Sequence, residues 1–448
     1  MMPKTIKSDL SNPAMNIPEI NLKRVVIIGG GFAGLNIAKK LSGKDFQIVM
    51  LDKHNYHTFQ PLLYQVATAG LEPDSIAHAI RQIFTKKENF YFRIADVKEI
   101  DSENKIIKTP IGNIFYDYLI IATGSETNYY GNENIRKYAM PMKTIPEALD
   151  LRSLVLQSLE AALLTNDLDE RQRLMNFVIV GGGPTGVELA GAFGELKKHV
   201  LPNDYPDLDI RRMNVHLIQG ADRLLPPMSK NASDKAAKYL EKLGVQVWFN
   251  TLVKDYDGKI ITTNDRSFET STMIWTAGVK GSLIPGIEGE EVIVGDRYTV
   301  DEFNKVKGFE DVFAVGDVAL MITPDNPKGD PMVAQVAIQQ GKLLAKNLIA
   351  IKDGKAPKPF KYKDKGSMAT IGRDKAVVDL PHWKFSGWFA WFVWMFVHLF
   401  SLIGFRNKMI ALTNWLIQYF TYNKSVRLII RPYKGGNAWS GDDPDVFS

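Results

Sequence analysis

The chain has 448 residues, enough for two or three domains, and 45% hydrophobic and 23% charged residues are typical of a globular protein. It contains no cysteine, which excludes disulfides, thiolate metal sites and thiol-based redox relays. Its net charge of +5 is too small to indicate a nucleic-acid partner, and we expect none.

Residues 1–22 lack the apolar stretch that a secretory signal needs. They include Asp9 and Glu19, and the first arginine is Arg24, which argues against an organelle presequence. We expect a flexible N-terminal segment and no export.

A strand–turn–helix–strand unit follows. Short apolar runs at residues 25–30 and 46–52 predict two buried strands, and apolar residues at helical spacing lie between them. The turn before the helix has the pattern G-x-G-x-x-G, at Gly29, Gly31 and Gly34. This order is typical of a dinucleotide-binding domain.

Glycine is needed at each of these three positions for a different physical reason. Gly29 permits the tight turn, Gly31 lets the backbone approach a pyrophosphate, and Gly34 lets the helix pack closely on the strand. The start of the helix offers N–H groups and a positive dipole end to phosphates. Asp52, at the end of the second strand, can accept hydrogen bonds from ribose hydroxyls.

The same unit occurs a second time. Residues 177–182 and 214–220 predict its strands, and its glycines are Gly181, Gly183 and Gly186. The second strand ends in Gln219 instead of an acid. A carboxylate there would repel the 2′-phosphate of NADPH, whereas an amide does not, so we expect weak discrimination between NADH and NADPH.

One G-x-G-x-x-G could be a glycine-rich turn, but two copies between strand and helix favour two dinucleotide-binding domains. Residues 118–124 and 272–278 predict the strand that closes each unit. Residues 312–319 predict a further strand that ends in Asp317, which could bond a ribityl hydroxyl or cap a helix. Because this strand lies beyond the second unit, we expect the second domain to be inserted in the first.

Two nucleotide sites in one redox protein suggest a flavin and a nicotinamide, with a hydride passing from one to the other. The chain resembles the type II NADH dehydrogenases, single-subunit NADH:quinone oxidoreductases, over about residues 24–435. The discriminating elements are "HNYHTFQPLLYQVATAGLEP" (54–73) and "AQVAIQ" (334–339), while "GGGPTGVELAGAFGE" (181–195) is shared with wider flavoprotein groups.

The resemblance implies which residues serve each site. FAD would be held by Gly29, Gly31, Gly34, Asp52, Thr123 and Asp317. NAD(P)H would be bordered by Gly181, Gly183, Gly186, Glu188 and Gly278, with Glu188 near the nicotinamide. Members of the family often carry an acid where this chain has Gln219, so the resemblance does not extend to a strict preference for NADH. Gln335 and Gln339 would lie where flavin meets quinone.

The residues themselves leave these roles open. Gln335 and Gln339 share one helical face and could bond a quinone carbonyl or form a solvated polar stripe. Glu188 could orient the nicotinamide carboxamide, help protons reach the quinone, or serve the helix dipole; we favour orientation. His54 and His57 have no third ligand nearby in the sequence, so we assign no metal.

The composition shifts after residue 382. Six of the eight tryptophans lie there, and no Asp or Glu occurs between Leu380 and Gly441. An anionic membrane surface favours such a segment. Its basic residues are Lys384, Arg406, Lys408, Lys424, Arg427, Arg431 and Lys434.

Residues 385–405 are uncharged and long enough to span a bilayer, for which about 20 residues suffice. Tryptophans extend to the middle of this run, however, and tryptophan prefers the interface. The next segment is amphipathic, with residues such as Trp415 and Phe420 on one face. We favour a pair of in-plane helices; a span and a buried dimer interface are the alternatives.

The sequence therefore predicts an α/β protein with two Rossmann-like domains, the second inserted in the first, and a C-terminal membrane-associating helical segment. We expect an FAD domain at 23–145 and 285–382, an NAD(P)H domain at 146–284, and the membrane segment at 383–448. The predicted function is a flavoenzyme that oxidises NADH, and possibly NADPH as well, and reduces a membrane quinone without pumping protons. We place it on the cytoplasmic side of a bacterial inner membrane; a homodimer is compatible with this prediction.

Two other functions fit parts of the sequence. A ferredoxin-reductase-like flavoprotein leaves the C-terminal segment unexplained. A membrane-tethered redox sensor that does not turn over would bind the same nucleotides.

Overall fold

The computed structural model of the chain describes residues 15–421, 426–430 and 432–435. These residues form two compact units. The first unit comprises the chain up to His57, His78–Glu126 and Val279–Asp364. The second comprises Thr58–Ala77, Thr127–Gly278 and the chain from Lys365 onward.

The first unit is built on a five-stranded sheet in which every neighbouring pair is parallel. Numbered along the chain, its strands lie in the order 3-2-1-4-5 of a dinucleotide-binding half, with the first strand in the middle. From one edge to the other the strands are Phe90–Ile94, Phe46–Asp52, Lys23–Ile28, Tyr118–Ile121 and Val312–Ala314.

Two helices of this unit, Phe32–Leu41 and Ala334–Lys352, pack against each other. A Cβ atom at Gly341 would lie 2.7 Å from the carbonyl oxygen of Ala33, so only glycine permits this close approach.

The remaining helices are the short segments Ile80–Ile83 and the 3₁₀ turn Gly316–Val318. The smaller sheets contain Glu99–Asp101, Ile106–Thr109 and Gly112–Phe115, and Ile293–Val294, Arg297–Val300 and Ala319–Met321. Short strands near the unit boundaries are Tyr56–Thr58, Ala77–Ala79, Ser125–Thr127 and Val279–Gly281.

The second unit repeats this arrangement. Its main sheet is again all parallel, and the strand that leads into the glycine turn again lies in the middle. In order the strands are Val245–Trp248, Asn214–Ile218, Asn176–Val180, Thr272–Trp275 and Met140–Pro141. A separate antiparallel sheet contains Val253–Tyr256, Ile260–Thr263 and Ser267–Glu269.

The longest helix of the second unit, Ile145–Leu164, begins with a capping box. The hydroxyl of Thr144 accepts from the N–H of Glu147, whose carboxylate accepts from the N–H of Thr144. The other α-helices of its nucleotide-binding part are Glu133–Tyr138, Leu168–Leu174, Pro184–Glu195, Leu201–Asp204 and Lys230–Lys242. Its shorter elements are Gln60–Leu62, Leu63–Ala67, Pro73–Ile76, the π-helical turn Leu196–Val200 and Ile210–Arg212.

The C-terminal part of the second unit begins with an antiparallel sheet of Ser367–Thr370, Ala376–Asp379 and Lys384–Gly387. Two helices follow, Trp388–Ser401 and Phe405–Thr421. Among the described residues, no helix combines the length and the apolar character needed to cross a bilayer. Lys424 and Arg431, and the termini at 1–14 and 436–448, lie outside the described residues.

The predicted α/β class, with two Rossmann-like parallel sheets and a helical C-terminal segment, is confirmed. The chain of the second nucleotide-binding unit also interrupts that of the first, as an inserted domain requires.

Candidate functional site

The first glycine turn has the shape that a pyrophosphate requires. Gly29 has a φ of +106°, and a Cβ atom there would overlap the carbonyl oxygen of Ala122. A Cβ at Gly34 would overlap the carbonyl oxygen of Gly29. Gly31 differs, because its Cβ would meet open space, and the helix begins there without a side-chain cap. The uncapped N–H groups and the open space above Gly31 fit a phosphate ligand.

Asp52 lies beside this turn. One of its carboxylate oxygens accepts from the N–H of Gly30 at 2.6 Å, and the other accepts from the N–H of His54 at 2.7 Å. Burial raises the pKa of Asp52, and these two hydrogen bonds oppose that shift. The predicted ribose-binding acid therefore adjoins the phosphate turn within the first unit.

Thr123 and Asp317 each follow a strand of the same sheet. Thr123 follows the strand Tyr118–Ile121, and Asp317 follows the strand Val312–Ala314. The Thr123 hydroxyl donates to the carbonyl oxygen of Ser282 at 2.6 Å. The Ser125 hydroxyl donates to a carboxylate oxygen of Asp317 at 2.5 Å. Because all five strands are parallel, the turns that follow them lie along one sheet edge, where open α/β sheets bind ligands.

The second glycine turn reproduces the first. Gly181 has a φ of +114°, and a Cβ at Gly186 would overlap the carbonyl oxygen of Gly181. A Cβ at Gly183 would again meet open space, and the helix Pro184–Glu195 begins there without a side-chain cap. Both turns therefore leave their middle glycine open to a ligand.

Gln219 occupies the position that Asp52 has in the first unit. Its amide oxygen accepts from the N–H of Gly182 at 2.9 Å, and its amide nitrogen donates to the carbonyl oxygen of Arg223 at 3.1 Å. A Cβ atom at Gly278 would overlap the hydroxyl of Tyr130, which donates to the carbonyl oxygen of Ala277 at 3.2 Å.

Glu188 is buried in the second unit, only 7% exposed. One of its carboxylate oxygens accepts from the N–H of Thr370 at 3.3 Å. Burial raises the pKa of Glu188 to about 8, and the hydrogen bond from the N–H of Thr370 opposes the shift. This carboxyl group therefore changes charge near neutral pH, as groups in functional sites commonly do.

A cavity of about 90 Å³ adjoins Glu188. Aromatic side chains from both C-terminal helices line it, among them Trp391, Trp394 and Trp415. Its polar lining includes Tyr64 and Gln65. An apolar cavity with a few convergent polar groups is the usual form of a small-molecule site. Neither Tyr64 nor Gln65 could be predicted as a site residue from the stretch 54–73, because the cavity and the hydrogen bond from Trp415 to Gln65 form only when the chain folds.

Gln335 and Gln339 lie in the first unit, on one face of the helix Ala334–Lys352. The Gln339 amide is held on both sides by the backbone of Lys363, donating to its carbonyl oxygen at 2.9 Å and accepting from its N–H at 3.1 Å. The neighbouring Gln340, which was not predicted as a site residue, is fully buried and accepts from the N–H of Gly316 at 2.7 Å. It joins this helix to the turn that carries Asp317.

The two histidines near the first turn have local partners. His57 is buried with its Nδ1 2.9 Å from the carbonyl oxygen of Gly30, and burial lowers its pKa to about 4. His54 stacks on Tyr56. Among the residues that the structure describes, no cluster of histidine and acidic side chains has the grouping of a metal site.

Comparisons with known proteins agree with this arrangement. Residues 23–341 match the family model of the pyridine nucleotide-disulphide oxidoreductases, and residues 365–422 match that of the NDH2 C-terminal domain. The type II NADH:quinone oxidoreductase Ndh of Mycobacterium tuberculosis is 37% identical over 89% of this chain and 88% of its own. The type II NADH:quinone oxidoreductase NdhA of the same organism is 39% identical over 88% of this chain and 87% of its own.

A structural relative has the same fold. The NDH2 of Plasmodium falciparum in complex with NADH superposes with a TM-score of 0.83, covering 91% of this chain and all of that one, at 23% identity. The resemblance noted from the sequence motifs is thereby confirmed. The chain belongs to the type II NADH:quinone oxidoreductases, within the pyridine nucleotide-disulphide oxidoreductase family.

Proposed function

We propose that this chain oxidises NADH, and also NADPH, through a bound FAD and passes the electrons to a membrane quinone without pumping protons. The observation that carries the proposal is the repeated glycine turn. Each unit has one, and in each the middle glycine faces open space at an uncapped helix start.

FAD fits the first unit. When bound, it supplies a two-electron carrier between nicotinamide and quinone. The turn at Gly31 would bind its pyrophosphate, Asp52 would accept from its adenosine ribose, and Asp317, with Thr123 nearby, would hold the ribityl and flavin end.

NAD(P)H would bind the second unit through the turn at Gly183, with Gly181, Gly186 and Gly278 shaping the site. Gln219 would face the adenosine ribose. Its uncharged amide leaves room for a 2′-phosphate, which supports use of both nucleotides. Glu188 would lie near the nicotinamide, where its carboxyl group can orient the carboxamide.

The cavity beside Glu188 is suited to the quinone ring because five aromatic side chains contribute to its walls, namely Tyr64, Trp391, Trp394, Trp415 and Tyr419. Gln335 and Gln339 would act where flavin and quinone meet.

The C-terminal helices support membrane attachment because each packs one side against the protein and exposes a side rich in apolar residues. In the helix Phe405–Thr421, Asn407 donates to the carbonyl oxygen of Ala77 at 2.8 Å, and Trp415 donates to Gln65 at 2.8 Å. The prediction that Trp415 shares one face with Phe420 was wrong, because Trp415 is buried against the protein while Phe420 is exposed. The opposite side of both helices is apolar and exposed. It comprises Trp388, Phe389, Phe392, Phe396, Val397, Phe400, Phe405, Met409, Leu416, Ile417 and Phe420.

An exposed apolar face on an acid-free, basic segment suits the interface of an anionic bilayer. We therefore place the helices in the membrane plane, as a monotopic attachment on the cytoplasmic side of a bacterial inner membrane. A homodimer that buries this face is the competing arrangement, and it does not account for the missing acids.

Steady-state oxidation of NADH with a soluble quinone analogue tests the function. We expect continuous turnover with FAD-loaded protein and quinone together, and none without quinone. A redox sensor would consume about one NADH per flavin and stop, which would refute the proposed enzyme.

A further inference from the structure

Three side chains next to the cavity form a chain of hydrogen bonds with a fixed direction. The indole N–H of Trp415 donates to the amide oxygen of Gln65 at 2.8 Å. An indole nitrogen can only donate, so it fixes the orientation of the amide. The oxygen of Gln65 must face Trp415, and its NH₂ group must face the other way.

That NH₂ group donates to the hydroxyl oxygen of Tyr64 at 2.9 Å. The hydroxyl is therefore an acceptor in this contact, and its own proton remains available for a further acceptor. Within the described part of the chain, no protein group accepts that proton. A buried hydroxyl with an unused proton calls for a partner, because burying it unpaired costs free energy.

Tyr64 is only 6% exposed and lines the same cavity as Glu188 and the three tryptophans. Burial, together with the nearby Glu188, holds the pKa of Tyr64 well above its usual value of 10. The hydroxyl therefore stays protonated at working pH, so that it donates a hydrogen bond and does not transfer its proton.

We propose that Tyr64 is a quinone-binding residue, whose hydroxyl donates a hydrogen bond to one carbonyl oxygen of the substrate quinone. Gln65 and Trp415 are positioning residues that direct this proton into the cavity. The inference rests on the proposed function and identifies one polar contact by which the cavity recognises a quinone.

Tyr64→Phe removes the donor and keeps the ring. We expect the KM for a soluble quinone to rise about five-fold, the usual effect of losing one neutral hydrogen bond. Ferricyanide has no carbonyl group, so its reduction should be unchanged, as should anaerobic reduction of FAD by NADH. Quenching of tryptophan fluorescence by the quinone should give a Kd raised by the same factor, because three tryptophans line the cavity.

Gln65→Glu provides a second test that keeps the hydroxyl. A carboxylate accepts from both Trp415 and Tyr64, so the tyrosine proton turns away from the cavity and the quinone KM should rise as in Tyr64→Phe. Tyr205→Phe is the matched control. It removes a buried hydroxyl of the same unit that donates to Glu160 at 2.9 Å, outside the cavity, and should leave the quinone KM unchanged.

Wild-type protein that does not reduce quinone would refute the proposed function. Wild-type turnover with an unchanged quinone KM and Kd in Tyr64→Phe would overturn only this inference. An equal rise in Tyr205→Phe, or an equal loss of ferricyanide reduction in Tyr64→Phe, would also overturn it.

Discussion

Gln219 has the same relation to Gly182 that Asp52 has to Gly30. In each pair the side-chain oxygen at the end of the second strand accepts the N–H of the glycine turn, at 2.9 Å for Gln219 and 2.6 Å for Asp52. The two units thus share this contact and differ in its charge. The difference bears directly on which nicotinamide nucleotide the second unit accepts.

Gln219→Glu should strongly reduce the use of NADPH and preserve that of NADH. The carboxylate can still accept from Gly182, but it repels a 2′-phosphate, so kcat/KM for NADPH should fall about tenfold or more. Steady-state rates with each nucleotide measure the effect.

The control for this substitution is the NADH rate itself, because the mutation also breaks the bond from the Gln219 amide to Arg223. A modest loss of kcat/KM that is the same for NADH and NADPH would reflect the loss of the hydrogen bond to Arg223. Equal and large losses with both nucleotides would refute the role of Gln219 in specificity.

Gly31→Ala should weaken flavin binding without unfolding the protein. A Cβ there meets open space in the protein and would occupy the approach of the pyrophosphate, so FAD affinity should fall about tenfold or more. The flavin content of the purified protein and the melting temperature of the apoprotein test the two parts of this prediction.

Two matched substitutions complete the comparison. Gly34→Ala places a Cβ on the carbonyl oxygen of Gly29 and should destabilise the fold itself, by about 1–3 kcal/mol. Gly183→Ala should keep the flavin and raise the KM for NADH. Normal flavin content in Gly31→Ala would contradict the assignment of the first turn.

Glu188→Gln should make the protein more stable at alkaline pH. The pKa of Glu188 is about 8 in the folded chain against 4.5 for an ordinary glutamate, so the fold favours the neutral carboxyl. The stability that this preference gives is complete below about pH 4.5, declines as the pH rises, and is lost above about pH 8. Because the side chain of glutamine does not titrate, the Glu188→Gln protein does not lose stability in this way as the pH rises.

Urea unfolding of both proteins at about pH 5, 7 and 9 measures the difference. The free energy of unfolding of the mutant, relative to that of the wild type, should increase as the pH rises. Above pH 8 this increase should be on the order of a few kcal/mol. A difference that does not depend on pH would show that Glu188 titrates normally.

Ile417→Glu and Phe420→Glu should weaken binding to anionic vesicles. Both residues lie on the exposed apolar face, and Phe420 is 78% exposed. Each charge removes apolar contact with the bilayer, so partitioning should fall about tenfold or more. Co-sedimentation with vesicles measures it.

Leu164→Glu is the control, because Leu164 is 64% exposed but belongs to a different helix, Ile145–Leu164. It should bind vesicles as the wild type does. If the substitutions at Ile417 and Phe420 change oligomeric state and leave vesicle binding intact, the face is a dimer interface.

Local patterns predicted much of the fold. The strand expected at residues 46–52 is observed as Phe46–Asp52, and that expected at 214–220 ends at Ile218. These strands could be predicted because β-branched runs that end in glycine or a polar residue are short-range signals. The glycine turns were predictable for the same reason.

The cavity could not be predicted in this way. Tyr64, Glu188 and Trp415 are separated by more than a hundred residues each, and no spacing rule connects them. The unused hydroxyl proton of Tyr64 follows only from the direction of two hydrogen bonds. The sheet that precedes the C-terminal helices was also not anticipated, because its last strand, Lys384–Gly387, merges with the aromatic run that follows.

Anaerobic spectroscopy of purified, FAD-loaded protein tests the central claim most directly. One equivalent of NADH should bleach the flavin absorbance, and one equivalent of a soluble quinone should then restore it. Bleaching by NADH that no quinone reverses would contradict the account.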